Sequence, residues 1–421
     1  MPRIPAIIRC SPLLLIVLNT GCAKVRNVDS THSFTVTTEN GIQVAESSAR
    51  PRYQGELFTY EEVLRLKQDE SNPESLLVFP RIVLADEAGN FYLDDVGDTR
   101  IVSFDASGNY LRTIGREGAG PGEYQSARLA CLHRDLLVIT DAPLNRVSIF
   151  RTDGAFVNSF PLPAREGQFI PWETRLGPAD ERILLGEVVR TGEDWYRFER
   201  AVARVFSAAG DSLISLASED IRIGRRIRLE QYNTIDFATR YFTVSPTILY
   251  HPRHGLVLAD GLEPRLQCFD LLGHLQKVIR VNFPPEAVTQ AEKRAIRTYH
   301  REHIRAADDR QSRIISRKVY EYIEYQDPKA CFGIDYIDEY GYIWAVRPDL
   351  GLSNDLFNRE VRNVRMLFSP EGEYLGETTL PHLHARPTRG RMICVQDDVE
   401  TGAVEVVVYA LRPLPAGFAY H

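Results

Sequence analysis

Five times along the chain a Phe is followed four residues later by a Gly: Phe104 and Gly108, Phe150 and Gly154, Phe206 and Gly210, Phe269 and Gly273, Phe368 and Gly372. Each pair sits in the same local sentence, as in "RIVSFDASGNYLRTI", "RVSIFRTDGAFVNSF" and "VRMLFSPEGEYLGET". An alternating apolar run leads into a short turn of small or polar residues, and a second run leads out. Gly late in a short hairpin loop can take a positive φ without a Cβ clash, while the alternate apolar residues fill one face of the sheet. Upstream of each hairpin lies a further strand-forming run, such as "GNFYLDD", "DLLVITDA" or "GLVLADG", and before several of these comes another, such as "SPTILYHPRH". A unit of four short antiparallel strands, repeated, is the sequence signature of a β-propeller. The glycine spacing of 46, 56, 63 and 99 residues grows because insertions enter the later units.

The ring needs a sixth unit, and the ends of the chain supply it. "RMICVQDDVETGAVEVVVYALRP" gives two strands, with Tyr409 where the repeat has Phe, but the chain stops before a final strand. Near the other end "SFTVTTENGIQVAES" is β-rich and has no partner of its own. We therefore expect an all-β, six-bladed propeller in which that stretch is the outer strand of the last blade, closing the ring and covering an exposed edge. One segment departs from the β pattern. Pro284 to Tyr325, within an insertion of about 284–326, opens on Pro and interleaves Ala and Ile with charge, which predicts two short helices lying against the propeller.

The stretch "YLDDVGDTRIVSFDASGNYLRTIGREGAGPGEYQ" resembles a blade of the NHL-type six-bladed propellers, in particular bacterial lipoprotein-like members. The shared features are Asp95 ending the second strand, Arg100 opening the third, Phe104 and Asp105 ending it, and a linker from Gly115 to Tyr124 with Tyr in the place of the usual Phe. The likeness runs from about Phe79 to Phe160 and again from Leu256 to Ile279. It implies the fold and leaves the activity open, because one fold hosts many functions.

The first residues bear on location. Arg3 and Arg9 precede the apolar run Leu13 to Leu18, which is followed by small or polar residues and Gly21-Cys22. That order is a secretory signal, and the run is too short to span a bilayer. The Gly-Cys end resembles a lipoprotein signal, which makes Cys22 the lipidated first residue of the mature chain. We divide the chain into a signal at 1–22, a tether at 23–32 and the propeller at 33–421, and place it in the periplasm or cell envelope, held to the outer membrane by lipid alone. A formal charge of −7 opposes nucleic-acid binding, since phosphate binding relies on a basic surface. "RIGRRIR", Arg222 to Arg228, reads as a strand with a solvated basic face. Cys131, Cys268, Cys331 and Cys394 sit far apart in apolar runs; an even count in an exported chain permits disulfides in any of three pairings, and four buried thiols is the favoured reading.

The chemistry is less legible. Asp95 and Arg100, Asp141 and Arg146, and Asp260 and Arg265 stand five apart around a turn, where an ion pair and backbone capping account for them. Two turns are long, Val188 to Ala201 and Pro348 to Val361, and long loops on a rigid scaffold commonly carry recognition. With the linker they put Arg116, Glu117, Trp172, Trp195, Arg197, Asn354 and Asp355 forward as binding residues on one rim, beside Tyr196 and Arg359. The glycine-rich linker itself has no Lys and is followed by a strand, so it is a hinge between blades and no phosphate loop. His300 and His303, and His251 and His254, lack the third ligand and acid of a zinc site. No catalytic residue and no cofactor follow from the motifs. The reading is a monomeric binding module for an envelope protein, a peptide or a saccharide. The alternative is a metal-dependent, lactonase-like hydrolase or lyase, with a divalent ion held at the central channel by residues such as Asp349, Asn354, Asp355 and Glu187.

Overall fold

The computed structural model describes residues 8–9, 31–161, 168–169, 178–179, 182–191, 196–206, 212–229, 234–306, 310–347, 363–382, 385–397 and 403–420. Six antiparallel sheets follow one another as the blades of a propeller. Blade I is Pro80–Ala85, Phe91–Asp95, Arg100–Phe104 and Tyr110–Ile114. Blade II is Ala127–His133, Leu136–Asp141, Arg146–Arg151 and Phe156–Pro161. Blade III is built on Arg182–Thr191, Tyr196–Phe206 and Ser212–Ala217. Blade IV is Thr247–His251, Gly255–Ala259, Arg265–Phe269 and Leu275–Asn282, and blade V is Gly333–Ile337, Ile343–Val346, Val364–Phe368 and Tyr374–Thr379. Blade VI takes Arg386–Thr388, Arg391–Asp397 and Val404–Pro413 from the C-terminus and Phe58–Arg65 from the N-terminal region.

The repeat explains the blade. Phe104, Phe150, Phe206, Phe269 and Phe368 each face the residue six positions on, and in every case the ladder slips by one residue just before the Phe. In the four described turns the Gly N–H donates to the carbonyl of the residue after the Phe, and the Gly takes φ of +78°, +95°, +86° and +93°. This is a three-residue loop ending in a left-handed glycine, which adds a bulge and local twist. The same slip occurs at Tyr409, which faces Glu62 on a strand from the far end of the chain. The bulge therefore does not depend on the hairpin connection.

Phe104, Phe150, Phe269 and Phe368 are all but fully buried in the layers between blades. Each such side chain contributes about 2–3 kcal/mol of burial. The layer holding Phe104 also contains Ile393, Val406 and Val408 of blade VI, so the last blade packs on the first and the ring is closed.

Closure is made by the N-terminal region, but by a different stretch from the one expected. Phe58–Arg65 is the outer strand of blade VI. The expected closing stretch forms a hairpin, Phe34–Glu39 with Ile42–Ser48, whose second strand joins Leu275–Asn282 in parallel and extends blade IV to six strands. Its inward residues Val44, Ala45 and Ser47 are buried there. Between hairpin and closing strand, Arg52 and Tyr53 donate backbone N–H groups to Tyr374 and Leu375, so the chain also runs along the outer edge of blade V.

Two expectations about insertions resolve differently. The helices are present as α1, Gln290–Ala306, and α2, Arg310–Glu321. Thr289 and Glu292 cap α1 reciprocally, Glu292 N–H donating to Thr289 Oγ1 at 3.2 Å and Thr289 N–H to Glu292 Oε2 at 2.8 Å. The long turn expected from Val188 to Ala201 is mostly strand: Arg182–Thr191 and Tyr196–Phe206 stay paired out to Thr191 and Phe198. Ile221–Leu229, which contains the arginine-rich run, pairs with the outer part of Tyr196–Phe206 and with Thr234–Tyr241. The extra length of blade III is thus spent on a sheet extension, because the alternating residues keep the ladder going.

Candidate functional site: a polar cleft under the N-terminal hairpin

Hydrogen bonds account for the aspartates that recur after the second strands. Asp95 is fully buried, accepts from the backbone N–H groups of Val78 and Phe79, and forms an ion pair with Arg100 at 3.1 Å. Asp141 caps Gln125 and Ser126 in the same way, but Arg146 turns to the carbonyls of Ala119, Gly120 and Glu123. Asp260 caps Leu262 and Glu263, and Arg265 pairs with Glu263. Capping is thus common to all three, while the ion pair across the turn exists only in the first.

The linker is folded by its own polar groups. Arg116 pairs with Glu123 at 2.8 Å, and Glu123 also accepts from Gly120 N–H. Tyr124 is fully buried between blades I and II, donating to Ile114 O at 2.8 Å and accepting from Ile101 N–H. A Cβ on Gly115 would lie 2.5 Å from the Tyr124 ring, which is the reason for glycine at that end of the hinge. Arg116 and Glu117 are exposed on the rim. Trp172, Trp195, Asn354 and Asp355, with Asp349 and Arg359, lie outside the described residues. The backbones of Glu187, Tyr196 and Arg197 belong to the extended hairpin of blade III, opposite Val202, Arg225 and Gly224.

The described chain forms a cleft of about 620 Å³ on the opposite rim, where the first-to-second-strand turn of blade IV, the last hairpin of blade V and the tip of the N-terminal hairpin meet. Asn40 and Gly41 make that tip with φ of +51° and +82°, the pairing that a two-residue hairpin turn requires. The register sets Thr38 opposite Gln43, and Gln43 beside Lys277. Across the cleft, Arg253 pairs with Glu371 at 2.6 Å and Lys277 Nζ donates to the Glu371 carbonyl at 2.7 Å. Two cations and one carboxylate leave the mouth with a net positive charge.

Burial favours the neutral forms of His254 and Cys268 at the cleft and of His251, whose ring lies against His254. His254 Nε2 donates to Gly341 O at 2.8 Å, and burial lowers its pKa to about 4. His251 accepts from Arg253 N–H at Nδ1 and is also pushed down by burial. Cys268 lies at the floor with its thiol pushed up to about 12 by burial. Burial likewise lowers Lys277, whose ammonium is held by the carbonyl contact. These groups are suited to hydrogen-bonding a polar, anionic ligand. They offer neither a thiolate nor a free imidazole base.

His300, singled out from the sequence, shares a 2.7 Å hydrogen bond with Tyr241 where α1 packs on the sheet extension. Among the described residues no three His, Cys, Asp or Glu side chains gather as a metal shell. Cys131, Cys268 and Cys394 are buried free thiols, while Cys331 is only part-buried. The cleft is not legible in the sequence because nothing local shows that hairpin 34–48 docks on blade IV. The "NG" turn was the legible part of it, and the docking partner was not.

No family model matches the chain, and no curated protein matches it. Solved structures do. A member of the DUF4221 family from Bacteroides vulgatus is 12% identical, with 86% of this chain and 100% of that chain aligned at a TM-score of 0.50. A candidate exported protein of Bacteroides fragilis is 11% identical over 88% of this chain and 100% of that chain, with a TM-score of 0.47. The virginiamycin B lyase of Staphylococcus aureus is 9% identical over 84% and 100%, with a TM-score of 0.38. The first of these supports the propeller fold, and at such identities no functional residue is transferred.

Proposed function

We propose that the chain is an exported, envelope-associated propeller of the NHL, lipoprotein-like kind that acts as a binding module for a peptide, a saccharide or another envelope protein, without catalysis of its own. The observation that carries this reading is the cleft at Arg253, Lys277 and Gln43. It is a concave site on a closed, rigid ring, its side chains are placed by backbone contacts, and its acid–base groups are tied in neutral or ion-paired states. Such a site recognises polar groups and is poor at moving protons. In this reading the signal and a lipid on Cys22 would hold the cleft in the envelope.

Two measurements test the reading separately. Fractionation of cells carrying the chain or Cys22→Ala, with the membranes washed in about 1 M salt, should show the variant leaving the membrane fraction; an unchanged distribution removes the anchor. Thermal-shift titration with acidic peptides and anionic oligosaccharides should raise the melting temperature of the wild type and not of Arg253→Ala with Lys277→Ala. A ligand that stabilises both equally binds elsewhere, and the cleft then loses its role. Metal analysis of the purified protein, repeated on Asp349→Ala with Asp355→Ala, addresses the hydrolase alternative: stoichiometric metal lost in the variant would replace the present reading.

A further inference from the structure

The helical insertion carries an unusual surface. On α1, Arg294, Arg297, Arg301 and Arg305 follow at intervals of three, four and four residues, and on α2, Arg310, Arg313 and Arg317 follow at three and four. These spacings put each set on one face of its helix, and all seven residues are exposed. The opposite face of α1 does the packing: Ile296 is fully buried, with Tyr299 and the Tyr241–His300 contact beside it.

Like charges four apart destabilise a helix by a few tenths of a kcal/mol per pair. Among the described residues, Arg294, Arg297, Arg301, Arg305, Arg310 and Arg317 form no ion pair that would offset this. Two of the nearby acids are committed elsewhere, Glu292 to Thr289 and Lys329 and Glu321 to Lys318. Residues 290–321 hold nine Lys or Arg against five Asp or Glu, in a chain whose net charge is −7. The cations are concentrated here while the remainder of the molecule is more acidic than the total shows.

Topology supplies the second observation. Phe34 pairs with Ser47, and Ser47 with Val281 on the strand that ends at Asn282. The chain coming from Cys22 therefore joins the ring at the same end of blade IV from which the insertion departs, and Phe34 and Phe283 pack on the same core cluster. Cys22 is nine residues before Thr31, a reach of at most about 32 Å when extended.

We infer that the arginine faces of α1 and α2 are a docking surface for anionic phospholipid, lying on the headgroups of the membrane that holds the Cys22 anchor. The inference rests on the envelope location proposed above. Guanidinium groups bind phosphate oxygens in pairs, and a stripe without outward apolar residues engages headgroups without inserting. No described helix is long and apolar enough to cross a membrane.

The test uses the whole chain with Cys22→Ala, so that no lipid is attached, and vesicles of phosphatidylcholine alone or with about one-third phosphatidylglycerol. Binding should be at least about tenfold stronger to the anionic vesicles and should vanish in about 1 M salt. Arg294→Gln with Arg301→Gln and Arg305→Gln should lower the anionic partitioning about a hundredfold, and the same three positions as Lys should retain most of it. Arg310→Gln with Arg317→Gln is a second variant on the other helix, and circular dichroism checks that each remains folded. Equal binding to neutral and anionic vesicles, or glutamine variants that bind as the wild type does, overturns the inference. So does a chain that ignores vesicles but retains a DNA duplex through the same arginines. Cellular fractionation of Cys22→Ala after a wash in about 1 M salt, which releases headgroup binding, reports on the anchor alone, so a failure there leaves the vesicle result standing.

Discussion

Blades I and II and blades IV to VI are built from the same repeat but are completed differently. In blades I and II all four strands are local in sequence, and the linker Gly115–Tyr124 fills the gap between them with one buried tyrosine. In blades IV to VI the outer edges are covered in succession by residues 34–65, first as a hairpin, then as backbone contacts, then as the closing strand. The C-terminal residues add a further cover: Leu414 N–H donates to Leu57 O, and Phe418 and Tyr420 pack on Phe58. One half of the ring can form by local pairing, whereas the other waits for both chain ends. Non-local closure has a greater entropic cost before its contacts form, so the stitched half should be where the fold is most easily broken.

The largest difference is expected between aromatic residues of the two outer strands. Phe58 is 2% exposed and packs on Trp344, Phe418 and Tyr420, while Phe156 on the outer strand of blade II is 37% exposed. Phe58→Ala should cost about 3–5 kcal/mol in urea denaturation, against less than about 1 kcal/mol for Phe156→Ala. Equal losses would mean that the two halves are held alike.

A finer comparison uses the same turn twice. Gly154 and Gly372 have φ of +95° and +93°, but a Cβ at Gly154 meets nothing closer than 3.9 Å, whereas at Gly372 it would lie 2.8 Å from Ile279 and 3.2 Å from Ala45 of the stitching hairpin. Gly154→Ala should cost only the left-handed backbone strain, about 1–2 kcal/mol, and Gly372→Ala about 1–3 kcal/mol more. Removing hairpin 34–48 should relieve the Ala45 contact and leave the closer one to Ile279, so only part of the excess should disappear.

A pH dependence is expected at the C-terminal cover of blade V. Asp338 accepts from Tyr420 Oη at 2.6 Å and Trp344 Nε1 at 3.0 Å, and burial pushes its carboxyl up to about 6. A folded carboxyl that holds its proton longer than the unfolded chain does loses stability as pH rises from about 4 to about 6, and none further above that, for a total of at most about 3 kcal/mol. The difference between the wild type and Asp338→Asn, followed across that range, should show this slope. A flat difference would mean that the C-terminal cover does not desolvate Asp338.

The sequence by itself determined the blade: Phe and Gly four apart impose the hairpin and the burial of one aromatic per layer, because these depend on residues within a dozen positions of one another. It also determined the two helices and the capping role of the recurring aspartates, which are equally local. Tertiary structure alone decided which free strand covers which blade. "SFTVTTENGIQVAES" and Phe58–Arg65 both alternate well enough to complete a sheet, and the choice between blades IV and VI rests on packing against Ile279 in one case and Trp344 in the other. The cleft follows from that choice, since Gln43 meets Lys277, Arg253 and Glu371 only when the hairpin has docked. Edge pairing uses the same backbone hydrogen bonds everywhere, so the ladder carries no address, and the side chains that supply one come from parts of the chain hundreds of residues apart.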